Sequence, residues 1–122
     1  MKSTVPSEDY ECKRFADWLG DNQYKFSHLA QSTFTRSVSV KWKLQQMGVK
    51  KGVPDYIICL KRKPILFFLE MKRRRGGRVS PEQTEWIKAI NEHGARAVIC
   101  YGFDDAKMAV LQAEVGPHPE TP

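Results

Sequence analysis

Apolar positions along the chain change period several times, and the changes mark the elements. Cys12, Phe15, Ala16 and Leu19, with Trp18 beside them, recur every three to four residues and predict a helix over about 8–20. Ser7 is placed to cap it, Glu8, Asp9 and Glu11 suit its positive end, and Gly20 offers a stop. Residues 21–34 carry a weaker pattern, in which YKFSHLAQ reads as a short strand or an extended segment. Val40, Leu44 and Met47 return to helical spacing and predict a second helix over 36–47, ended by Gly48, with Arg36, Lys41 and Lys43 on its other face.

The period then shortens. YIICL (56–60) and ILFFLEMK (65–72) are apolar at successive positions, as in strands covered on both faces. The KRKP between them is short enough for an antiparallel hairpin. Pro54 biases Val53 toward extended geometry, so VKKGVPD is a turn into the first of these strands. RRRGGRV (73–79) is a basic, glycine-containing loop. Ser80, Pro81 and Gln83 then supply an N-cap, a proline at the first helical position and a residue able to complete a capping box. The helix they open has Trp86, Ile87, Ala89 and Ile90 as its expected buried side and ends at Gly94. ARAVICY (95–101) is a third strand. FDDAKMAVLQAEV (103–115) is a last helix, with Ala106, Val110 and Ala113 inward. Residues 1–7 and 116–122 read as flexible ends. With no repeat and no internal boundary, the order predicts a single α/β domain over 1–122, a central mixed β-sheet flanked by helices.

Composition narrows the class. A chain of 122 residues suits one domain, and 41% hydrophobic residues with three Trp, six Phe and four Tyr fill a modest core. The net charge of +6 favours an anionic partner, nucleic acid or a membrane surface, although charge alone also fits a merely soluble basic protein. No apolar stretch reaches the roughly 18 residues of a membrane helix, and MKSTVPSEDYE lacks the apolar centre of a secretory signal. Cys12, Cys59 and Cys100 are far apart and form no CxxC pair, which points away from a zinc cage or disulfide framework and toward a reducing, intracellular setting.

Charges at the ends of the two apolar runs carry the chemistry. Asp55 opens the first, and Glu70 and Lys72 close the second. Residues two apart share a strand face, so Glu70 and Lys72 point to one side with Met71 opposite. Closing the hairpin through KRKP brings Asp55 toward Glu70. Two carboxylates, a backbone carbonyl and waters suit Mg²⁺ or Mn²⁺. Such an ion acidifies a bound water, polarises a scissile phosphate and fixes geometry. Lys72 would orient the water or stabilise transition-state charge. An isolated E-x-K is more often an ion pair at a strand end. The upstream P-D and the K-R-R-R-G-G-R run leaving the site shift the reading toward a phosphodiester nuclease gripping a phosphate backbone.

Pro54-Asp55 with Glu70-Met71-Lys72 resembles the core motif of the PD-(D/E)XK nuclease superfamily. MGVKKGVPDYIICL, FLEMKRRRGGRVSPEQTEWI and NEHGARAVICYGFDDA are similar to its VRR-NUC branch, densely over about 44–106. The resemblance implies a restriction-endonuclease-like core and an Mg²⁺- or Mn²⁺-dependent DNA endonuclease. Its stand-alone phage and bacterial members imply branched DNA such as four-way (Holliday) junctions as substrate and a homodimer as the assembly. Asp55 and Glu70 match the metal-binding acids, Met71 lends its carbonyl, and Lys72 matches the catalytic lysine. The first-helix acid is Glu8 or Glu11, with Glu8 preferred, although Cys12 stands where the E-x-x-x-Q pattern of the family has Gln. Gln83 matches a recurring Gln that either reaches the site or closes the capping box. Arg73, Arg74, Arg75 and Arg78, with Lys43, Lys50 and Lys51, are the candidate DNA contacts. No membrane and no small-molecule cofactor beyond the metal is implied. His28, His93 and His118 receive no role. Trp42, Phe34 and the last helix are candidate dimer contacts. Two other readings stay open: a non-catalytic basic DNA- or junction-binding module, and a nuclease for flaps, nicks or other ends.

Overall fold

The computed structural model describes residues 4–29 and 37–116. Expectations for Arg36, Phe34, His118 and the outermost residues of both ends lie outside the described residues. Among the described residues, four helices and four strands follow in the order α1 (Glu8–Asp21), β1 (Lys25–His28), α2 (Val38–Gln46), β2 (Tyr56–Cys59), β3 (Leu66–Lys72), α3 (Pro81–Glu92), β4 (Arg96–Tyr101) and α4 (Phe103–Val115). The helix starts are chemical. Ser7, Ser37 and Ser80 each accept a hydrogen bond from a first-turn amide, those of Tyr10, Val40 and Gln83.

One sheet runs β1-β2-β3-β4. β1 pairs with β2 and β2 with β3 antiparallel, whereas β3 pairs with β4 parallel. A parallel neighbour needs a crossover, and α3 is that crossover. Strand alternation in this register puts Tyr56, Ile58, Phe67, Leu69, Met71 and Cys100 on one face. There they form the core with Phe15 and Leu19 of α1 and Phe103, Ala106 and Val110 of α4. Full burial of a side chain of this size contributes about 1.5–3 kcal/mol, so this face is where the fold is held.

The other face is not closed to the same degree. α3 packs over β4, and Asn91 ties it there by bonding both the amide and the carbonyl of Ala97. Ile57, Cys59 and Phe68 remain half-buried, and Leu66 is exposed. The expectation of strands covered on both faces therefore holds fully for one face only. The apolar stripes of two helices are also covered incompletely. α2 buries no residue, and its Val40 is exposed, as is Met47 at its C-cap. On α3, Ile87, Ala89 and Ile90 are half-buried, and Trp86 keeps 36% of its surface in solvent. Helical spacing reports a stripe; whether another element covers it depends on the crossover path.

A clamp absent from the sequence reading holds the β2–β3 turn. The buried carboxylate of Glu114 in α4 accepts hydrogen bonds from the Lys61 and Arg62 amides, each at 2.9 Å, and from the Tyr24 hydroxyl at 2.8 Å. Burial alone would push its pKa up, but these donors outweigh it and hold the carboxyl below its usual range. Among the described residues no helix is long and apolar enough to cross a membrane.

Candidate active site

The hairpin register decides the centre of the site. Tyr56 stands opposite Leu69, so Asp55, one residue earlier, lies at the level of Glu70. Asp55 Oδ2 accepts a hydrogen bond from the Met71 amide at 2.9 Å, which pins the carboxylate across the two strands. Glu70 is 4% exposed and Lys72 is also buried. Lys72 Nζ lies 3.7 Å from Glu70 Oε2. The acid–acid–ammonium grouping expected from alternation is present in the fold.

Gln83 does both things that its position allowed. Its Oε1 accepts from the Ser80 amide at 3.0 Å and closes the capping box, while its Nε2 donates to Glu70 Oε2 at 3.1 Å. The start of α3 is thus tied to the acid at the end of β3. Gly52 brings the preceding loop onto the same turn. Its φ is +91°, and a Cβ there would lie 2.6 Å from the Glu82 carbonyl carbon and 2.8 Å from the Gln83 amide. Only glycine permits both that backbone conformation and that approach. The glycine of G-V-P-D was the signal for this contact.

Electrostatics mark the pair as a place of unbalanced negative charge. Burial first, and then the charge and hydrogen bond of Asp55, together raise the Glu70 pKa to about 8 against the opposing pull of Lys72. Glu8, at the first turn of α1, is within electrostatic reach of the same group. Its pKa is raised by partial burial and then by Asp55, with Lys72 acting the other way. Glu11 faces elsewhere. It is fully buried and receives Arg74, whose Nε lies 2.7 Å and Nη2 3.4 Å from its oxygens. The two first-helix acids are therefore separated, Glu8 on the Asp55 side and Glu11 on the Arg74 side.

The basic run after Lys72 divides as well. Arg73 donates to the Val5 and Pro6 carbonyls, and Arg74 is held by Glu11 with Asp104 3.7 Å away. These two candidate DNA contacts also have partners within the protein; a run of like residues in sequence does not share one environment in the fold. Arg75, Arg78, Lys43, Lys50 and Lys51 are exposed.

Among the described residues no group of three or more His, Cys, Asp or Glu side chains is gathered as a metal cluster. The fit to a hard cation rests on the donor chemistry at Asp55 and Glu70. The repulsion of two adjoining carboxylates, one of them buried with a raised pKa, would be relieved by either a proton or a cation.

The model of the VRR-NUC domain family matches residues 7–104. Among solved structures, one described as a VRR_NUC domain protein superposes with a TM-score of 0.71 at 24% identity, covering 89% of this chain and 88% of that one. Another, described as a VRR_NUC domain, superposes with a TM-score of 0.60 at 15% identity, covering 87% of this chain and 97% of that one. At these identities the likeness concerns the fold. No curated protein matches the chain.

Proposed function

The chain belongs to the VRR-NUC domain family, and from that premise we propose that it is a metal-dependent DNA endonuclease acting inside the cell on branched DNA. The observation that carries the proposal is the Asp55–Glu70–Lys72 grouping, with Gln83 locked onto Glu70. Asp55, Glu70, the Met71 carbonyl and Glu8 would hold Mg²⁺ or Mn²⁺, oxygen-seeking ions. When bound, the ion supplies Lewis acidity toward the scissile phosphate and acidifies a water. The protein's own part is positioning. The Met71 amide fixes one oxygen of Asp55. The neutral amide of Gln83 holds Glu70 without adding charge. The ammonium of Lys72 stays beside the site, able to hydrogen-bond the attacking water or a phosphate oxygen as negative charge builds. Arg75, Arg78, Lys43, Lys50 and Lys51 supply exposed positive charge for the backbone of the DNA.

A homodimer is part of the proposal. Val38 and Trp42 of α2, Met47 at its C-cap and Leu66 of β3 leave apolar surface open in the single chain, as do Met108, Leu111 and Val115 of α4. Two sites related by a two-fold axis suit two symmetric cuts in a four-way junction. The test is incubation of the purified protein with linear, flap and four-way DNA, with and without Mg²⁺ or Mn²⁺, and mapping of the cuts. Metal-dependent cutting that is lost in Asp55→Ala and Glu70→Ala is expected. Undiminished cutting by Glu70→Ala overturns the reading.

A further inference from the structure

A groove of about 430 Å³ lies between the loop that carries Lys50 and Lys51 and the exposed side of α3, lined also by Glu82, Glu85, Trp86 and Ala89. It adjoins the site through two contacts. Gly52, next to Lys51, packs on the backbone of Glu82 and Gln83, and Gln83 bonds Glu70. Trp86 is three residues after Gln83, so the two occupy neighbouring positions on one side of the helix. The indole was expected inside the protein, and the fold leaves it 36% exposed in this groove.

The lining has three chemistries in one place. An indole offers a flat apolar platform. Two lysines offer ammonium groups on flexible stems. Glu82 and Glu85 offer acceptors and repel a bare anion. A phosphate track would not place two acids on its wall. An apolar protein segment has no use for two lysines and two glutamates around one ring. An unpaired nucleotide uses all three: its base stacks on the indole, its phosphate meets a lysine, and the amino groups of its base edge tolerate or bond the carboxylates.

We infer that this groove binds an unpaired nucleotide of single-stranded DNA beside the scissile phosphate, with Trp86 as the stacking platform. The inference rests on the nuclease reading for its choice of DNA, and it adds a substrate feature, a strand unstacked next to the cut. Base–aromatic stacking is worth about five- to 150-fold in affinity.

The test measures binding in EDTA, so that no cleavage occurs. Fluorescence anisotropy would follow a labelled dC octamer and an abasic octamer of the same length. Wild-type protein is expected to bind the dC octamer about ten-fold more tightly than the abasic one, with quenching of tryptophan emission. Trp86→Leu should remove most of that difference and of the quenching. Trp86→Phe, which keeps an aromatic ring, should retain part of both. Tripolyphosphate should compete poorly. Equal binding of the two octamers by wild-type protein, or a base-dependent difference unchanged in Trp86→Leu, overturns the inference. Metal-dependent cutting by wild-type protein is scored separately. Cutting without base-dependent binding removes the groove and leaves the nuclease. Trp86-dependent base binding without cutting of any DNA removes the nuclease and leaves the groove.

Discussion

Gln83 and Glu70 are joined by a 3.1 Å hydrogen bond while the same glutamine closes the cap of its own helix. One side chain therefore couples the start of α3 to the acid at the end of β3. Gln83→Ala should lose both functions, lowering stability by about 1 kcal/mol and slowing DNA cleavage by about ten-fold or more, the energy of one charge-directed hydrogen bond. Ser80→Ala removes the cap and spares the amide at Glu70. Its loss of stability should be similar and its loss of cleavage smaller. Thermal melts and single-turnover cleavage rates on the two variants separate these effects; equal cleavage losses would show that the cap alone matters.

The buried Glu70 gives the metal-free protein a definite pH dependence. Its pKa is raised from the usual carboxylate range to about 8, first by burial and then by Asp55. The folded state therefore holds a proton that the unfolded state gives up. The stabilising contribution is fully present below the unfolded pKa and is lost as pH rises through that window toward the folded value. In EDTA the wild-type melting temperature should fall across that range, and Glu70→Gln should flatten the fall. Mg²⁺ or Mn²⁺ should raise the melting temperature of wild-type protein at neutral pH but not that of Asp55→Asn. A metal effect of equal size in Asp55→Asn would place the ion elsewhere.

Much of the site was legible because strand chemistry is local. Alternation put Glu70 and Lys72 on one face, and a short turn put Asp55 beside them. Ser80 and Gln83 announced the capping box. What stayed hidden depended on distance along the chain. Arg73, Arg74, Arg75 and Arg78 look alike in sequence, yet Arg74 meets Glu11, 63 residues away. Glu114 reads as an ordinary exposed acid of an amphipathic helix, and its hydroxyl partner, Tyr24, is 90 residues away. Val40 and Met47, like Trp86, have the spacing of a buried stripe, and spacing carries no information about which stripe the sheet leaves uncovered.

The arginine run offers a contrast within four neighbours. Arg74→Ala leaves the fully buried Glu11 without its guanidinium, which should lower stability. Arg75→Ala and Arg78→Ala remove exposed charge and should leave stability within about 0.5 kcal/mol of wild type. Each should weaken DNA binding across sequences and reduce the salt slope by about 1. Urea unfolding and salt titrations of binding provide both numbers for each variant. An Arg75→Ala protein that binds as wild type at every salt concentration removes that residue from the DNA surface.

Glu114 tests the turn clamp. Replacing it with Ala strands the Lys61 and Arg62 amides and the Tyr24 hydroxyl together. A loss of about 2–3 kcal/mol is expected, more than Tyr24→Phe, which removes one donor from a carboxylate that keeps two others. Amide hydrogen exchange should speed up at Lys61 and Arg62 before it does in the core of β3. Equal stability of the two variants would mean that the turn does not depend on the carboxylate.

The last discrimination concerns the two acids of the first helix. Glu8 is only partly covered and electrostatically tied to Asp55 and Lys72, whereas Glu11 is fully buried against Arg74. Removing Glu8 takes away a negative charge whose own pKa is raised by its surroundings, so Glu8→Gln should leave the fold as stable as wild type or slightly more so. The same change should weaken Mn²⁺ binding, read by calorimetry, and slow cleavage, because one acidic ligand has become a neutral amide. Glu11→Gln should do the reverse. It takes from Arg74 its buried carboxylate partner, leaving the exposed Asp104, and lowers the melting temperature, while Mn²⁺ affinity stays close to wild type. A Glu8→Gln protein with unchanged Mn²⁺ affinity and unchanged cleavage would exclude that residue from the metal site and leave Asp55 and Glu70 as its only acidic side chains among those proposed here.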